Sequence, residues 1–124
     1  MPLIDNSSPA TFDIPGVRFA PVASPSRGSF ETAVWRAVVA PNKAGVVHHM
    51  TREEIILAVS GSGLVRIGGA EHMLAPGDAF AVPPFTDFQL ESSSDGPFEA
   101  VVMLPVGGHA VIAGQPSFSP PWSL

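Results

Sequence analysis

The chain has 124 residues, a formal net charge of -5 and only six scattered Lys and Arg residues, which suits one domain and provides no basic patch for nucleic acid. Cysteine is absent, which excludes disulfides, thiolate metal sites and cysteine nucleophiles. Hydrophobic residues make up 45% and charged residues 14%, so apolar area must be hidden in a cavity or a subunit interface.

From the N-terminus, MPLIDNSSPATFDIPG shows no basic start followed by an apolar core, so no leader is read and a cytoplasmic protein is expected. No apolar run approaches the roughly 20 residues of a membrane span, so no membrane partner is expected. Asn6-Ser7-Ser8 matches a glycosylation triplet that means nothing without export. Residues 1–16 read as irregular, broken by Pro2, Pro9 and Pro15. VRFAPV (17–22) reads as an edge strand limited by Pro21.

FETAVWRAVV (30–39) is the first clear strand. Its face of Ala33, Trp35, Ala37 and Val39 is apolar and should point inward. A turn at 41–45 leads to a short strand, VVHHM (46–50), and TREE (51–54) turns into IILAVS (55–60). The run TREEIILAV contains good helix formers, but Gly61 ends it within about two turns and Ile55, Ile56 and Val59 are β-branched, which favours strand. Gly61-Ser62-Gly63 closes a hairpin to LVRI (64–67), Gly68-Gly69 turns into EHML (71–74), and Pro76-Gly77-Asp78 turns into AFAVP (79–83). DFQLES (87–92) alternates strictly, with Phe88 and Leu90 on one side, and FEAVVMLPV (98–106) is the last strong strand. The tail is rich in Gly and Pro yet carries Ile112, Phe118 and Trp122, which suggests that it packs on the barrel or a partner. About nine short strands with close turns predict an all-β sandwich or small barrel.

Chemistry concentrates in 41–63, where His48, His49, Glu53 and Glu54 fall together. No phosphate-binding loop, dinucleotide glycine pattern, nucleophile elbow or His-Glu-x-x-His motif is present.

These residues resemble the motifs of a small single-domain cupin. The first cupin motif runs Gly, five residues, His-x-His, three or four residues, Glu, six residues, Gly. Glu54 and Gly61 fit its end, and His49 stands at its second histidine. The second motif runs Gly, five residues, Pro-x-Gly, two residues, His, three residues, Asn; Gly77 and Pro83 fit its start. The resemblance covers about residues 33–104. It implies a jelly-roll barrel, the double-stranded β-helix, as one domain over 1–124, with an arm at 1–28 and a tail at 107–124.

The departures bear on function. The first motif histidine falls at Val47; the second motif's Gly, His and Asn fall at Phe85, Phe88 and Ser92. Two of the four usual metal ligands of such a family are therefore replaced. The resemblance points His49 and Glu54 inward, leaving Glu53 and His48 outward unless a bulge re-aims His48. With the bulge, His48, His49 and Glu54 would form a set for a divalent Fe, Mn, Ni or Zn ion. A buried Glu54 needs a partner: a metal, His49, Arg66 or a ligand. Arg36 offers a second cation. His72 and His109 read as non-functional, and Met50 is a poor ligand for hard ions.

The expected pocket comprises Trp35, Val47, His49, Glu54, Arg66, Phe80, Phe88 and Met103. The expected function is binding of a small organic molecule in the barrel with little or no metal, a divalent Fe, Mn, Ni or Zn ion staying open as a cofactor. The alternatives are a metal-dependent oxygenase, isomerase or lyase acting through His48, His49 and Glu54, or a non-catalytic sensor or interaction module. A homodimer is expected from the exposed apolar faces.

Overall fold

The computed structural model describes residues 3–124. The expected N-terminal arm begins on residues 1 and 2, which lie outside the described residues. Eleven strands follow in order: β1 (Phe12–Ile14), β2 (Val17–Ala23), β3 (Thr32–Val39), β4 (His49–Met50), β5 (Glu54–Ser60), β6 (Gly63–Ile67), β7 (Ala70–Leu74), β8 (Ala79–Val82), β9 (Phe88–Ser92), β10 (Phe98–Pro105) and β11 (Ala110–Val111). Two short 3-10 turns, Pro25–Arg27 and Pro121–Ser123, complete the regular structure, and no α-helix forms among the described residues. None of these residues forms a helix long and apolar enough to cross a membrane.

One layer is a six-stranded antiparallel sheet in the order β1-β2-β3-β10-β5-β8. Opposite it lie the sheets β7-β6-β9 and β11-β4, linked by an antiparallel bridge between His48 and Phe88. Their inner side chains share one core. The result is an all-β jelly-roll barrel.

Alternation builds that core. On β3, Ala33, Trp35, Ala37 and Val39 are buried while Thr32, Arg36 and Val38 face out. On β10, Phe98, Ala100, Val102 and Leu104 are buried in the same rhythm. On β5, Glu54, Ile56 and Ala58 point inward, so TREEIILAV is strand from Glu54 onward. Each fully buried Phe, Leu or Ile stabilises by about 1.5–3 kcal/mol relative to exposure. Gly61 turns the β5–β6 hairpin at φ 77, and a Cβ there would strike the Pro97 carbonyl oxygen.

Two ladders lie outside the sequence expectation. β1 pairs with β2 across a turn at Gly16, in the segment expected to be irregular. β11 lies in the tail and pairs with β4. The expected strand 46–50 contributes only His49 and Met50 as a ladder, because its partner is this two-residue piece of tail. Further along the tail, Trp122 lies flat on Phe19, with centroids 3.7 Å apart and planes 7° off parallel. Its ring also meets Trp35 at 6.4 Å in an edge-on contact.

Candidate functional site: a cavity with two polar groups

A cavity of about 150 Å³ lies between the layers. Its walls include Trp35 and Val39 of β3, Val102 of β10, Phe88 of β9, and Phe118 and Trp122 of the tail. An apolar cavity of this size holds a molecule about as large as benzene. Ile14, Lys43 and Val46 are exposed at its mouth. The loop carrying Lys43 is fixed by Gln89, whose Nε2 donates to the Gly45 carbonyl oxygen at 2.8 Å. Gly45 sits so close to β9 that a Cβ would meet the Leu90 carbonyl oxygen.

Besides Lys43 at the mouth and the Trp122 indole Nε1, a buried donor without a partner, two polar side chains interrupt the apolar walls. Glu54 opens β5, opposite Val82, and is only 6% exposed. Burial alone pushes its carboxyl up to about 8, with no cation or hydrogen bond to offset it. Around neutral pH it is therefore a protonated acid, able to donate a hydrogen bond. His48 faces the Val46 carbonyl oxygen with Nδ1 at 2.8 Å. A carbonyl only accepts, so the network assigns the proton to Nδ1 and leaves Nε2 as an acceptor. Burial holds His48 below its ordinary value, against the opposing pull of the Val46 carbonyl and Asp87. The cavity thus combines neutral donors, the Glu54 carboxyl and the Trp122 indole N–H, with a neutral acceptor within apolar walls.

Of the expected pocket, Trp35, Glu54 and Phe88 share this wall, joined by His48. The two histidines are the reverse of expectation. His49 turns outward and its Nδ1 meets Asp87 Oδ1 at 2.9 Å. Met50 is buried in the core, and alternation then sends His49 out and His48 in. A turn separates Glu54 from this strand, so the inward position of Glu54 does not fix that of His49. No bulge brings both rings inward.

The other expected residues lie elsewhere. Val47 is 49% exposed. Phe80 packs beside the core against His72, ring centroids 5.2 Å apart, away from the cavity wall. Met103 faces outward because β10 buries Val102 and Leu104. Arg66 pairs with Glu71 at 3.1 Å and with Glu91, and Arg36 pairs with Glu99 at 3.2 Å; neither reaches Glu54. Phe19 and Trp122 line the cavity and were not among the expected pocket residues. The alternation of β3 selects Trp35 and Val39, whereas the apolar tail residues Ile112, Phe118 and Trp122 predict packing but not a place on the cavity wall. At the motif's glycine position, Phe85 keeps the left-handed backbone, φ 57, and stands 70% exposed. A bulky residue in that region costs about 1–3 kcal/mol.

A divalent ion in such a barrel needs about three protein donors. Only His48 and Glu54 qualify on the cavity wall, since His49 points away and Val47 and Phe88 carry no donor. Among the described residues no group of three or more His, Asp or Glu is placed to hold a metal. The residues present do not fit the expected set His48, His49 and Glu54.

The family model described as Cupin domain matches residues 35–104. No curated protein matches in sequence. Among solved structures, KdgF from Halomonas sp. is similar at TM-score 0.71 and 21% identity, over 84% of this chain and 94% of that one. Salicylate 1,2-dioxygenase from Pseudoaminobacter salicylatoxidans is similar at TM-score 0.72 and 16% identity, over 86% of this chain but 31% of that one. DMSP lyase DddQ from Ruegeria pomeroyi DSS-3 is similar at TM-score 0.63 and 22% identity, over 68% of this chain and 44% of that one. At these identities the likeness concerns the fold alone.

Proposed function

The chain belongs to the cupin family, and on that premise we propose that it binds one small organic molecule in the cavity between its layers. Glu54 carries this reading: a carboxyl buried without a protein partner, opening on apolar walls. A polar group in that setting is costly unless a ligand meets it, and small-molecule sites commonly combine apolar walls with a few polar anchors. His48, in contact with the Phe88 ring, is the second anchor, and Trp35 lines the same cavity. An oxygenase, isomerase or lyase dependent on a metal would need a third donor beside His48 and Glu54. Binding without turnover also suits a sensor module.

The chain also forms a homodimer in this reading. Ile55, Leu57, Val101 and Met103 stand partly exposed on the outer face of the six-stranded sheet. Arg36 and Glu99 on the same face form a charge pair that a two-fold partner could complement.

Trp35 and Trp122 are the only tryptophans, the chain has no tyrosine, and both line the cavity, so intrinsic fluorescence reports on it directly. Ring-sized fragments should shift that emission and raise Tm. Val102→Phe, which fills the cavity, should abolish both responses. Fragments that bind the filled variant unchanged would refute the reading.

A further inference from the structure

The chemistry of the cavity restricts its ligand more closely than size does. Glu54 has no cation near it: Arg66 and Arg36 are engaged on outer faces with Glu71, Glu91 and Glu99. The other ionisable groups on the wall are His48, on the segment before β4, and Lys43, exposed at the mouth. The walls from β2, β3, β9, β10 and the tail contribute none.

A ligand carboxylate in the interior would lie against Glu54 with nothing to neutralise it, and burying such a charge unpaired is costly. A purely hydrocarbon ligand would itself offer the Glu54 O–H no acceptor, which forgoes a buried hydrogen bond. The group that resolves both problems is an uncharged oxygen acceptor. We infer that the cavity selects uncharged, ring-sized molecules whose acceptor oxygen is held by the Glu54 carboxyl as donor, and that it rejects ligand carboxylates. This inference rests on the cavity reading above and names its ligand class.

Three probes of one shape test it near pH 6.5 by titration calorimetry and tryptophan emission: acetophenone with an acceptor oxygen, ethylbenzene with none, and benzoate with a charge. Acetophenone should bind the wild type, and benzoate should not. Glu54→Leu should weaken acetophenone about tenfold relative to ethylbenzene. Glu54→Gln, whose amide still donates, should keep that ratio within about twofold of wild type. Benzoate binding as tightly as acetophenone would overturn the inference, as would an unchanged ratio in Glu54→Leu or no acetophenone binding. If acetophenone bound Val102→Phe as well as wild type, the cavity reading itself would fail. Loss of folding in Glu54→Leu, read by circular dichroism, transfers the decision to Glu54→Gln and the benzoate comparison.

Discussion

The imidazole of His48 rests on the ring of Phe88, centroids 4.4 Å apart, while their backbones exchange hydrogen bonds in both directions at 3.2 and 2.8 Å. This pairing joins the segment before β4 to β9 and holds the His48 ring on the cavity wall. It also sets Phe88 where a second histidine would stand in the family motif. Phe88→Ala should destabilise the chain by about 3–5 kcal/mol, because the ring is fully buried. Urea unfolding measures this, and a loss below about 1 kcal/mol would mean the ring is not packed as described.

Glu54 gives stability a particular pH dependence. Burial raises its folded carboxyl from the ordinary 4.5 to about 8, so the folded state holds a proton that the unfolded state releases. Stability should therefore fall as pH rises from about 4.5 to about 8 and level off above. His48 acts in the opposite sense below its ordinary value of 6.5, since burial disfavours its charged form. Between pH 6.5 and 8 the slope belongs to Glu54 rather than His48. Glu54→Gln should flatten it in denaturant titrations, and an equal slope in both proteins would contradict the assignment.

Divalent ions should do little. Protein purified without chelator should carry well under one equivalent of metal per chain. Added Fe, Mn, Ni or Zn should leave Tm unchanged, because His49 is turned to Asp87. A stoichiometric metal lost on Glu54→Ala would show that His48 and Glu54 recruit further ligands.

The outer sheet face should carry the dimer. Leu57→Asp places a charge among Ile55, Val101 and Met103 and should convert a dimer to a monomer by light scattering at micromolar concentration. A wild-type monomer would exclude this interface.

Much of this fold was legible because alternation is a local property. Ala33, Trp35, Ala37 and Val39 declare the inner face of β3, and Phe88 and Leu90 that of β9. The motif spacing located Glu54, Gly61 and Gly77. The histidines were not legible in this way, because the phase of β4 is set by burial of Met50 and by the Phe88 bridge, both long-range facts. Nor was the outward turn of Met103 used, although the neighbouring Val102 and Leu104 fix it. Packing of Trp122 on the barrel or a partner was an expectation, but its neighbour was not legible: the stack on Phe19 joins residues about a hundred positions apart, and nothing between them encodes that contact.

The protonation of Glu54 is the point on which ligand class and pH dependence both depend. Its side-chain carboxyl carbon, followed by nuclear magnetic resonance across the pH range, should titrate with a midpoint at about 8 and move on addition of acetophenone. A midpoint at the ordinary 4.5, unmoved by acetophenone, would contradict a neutral donor in the cavity.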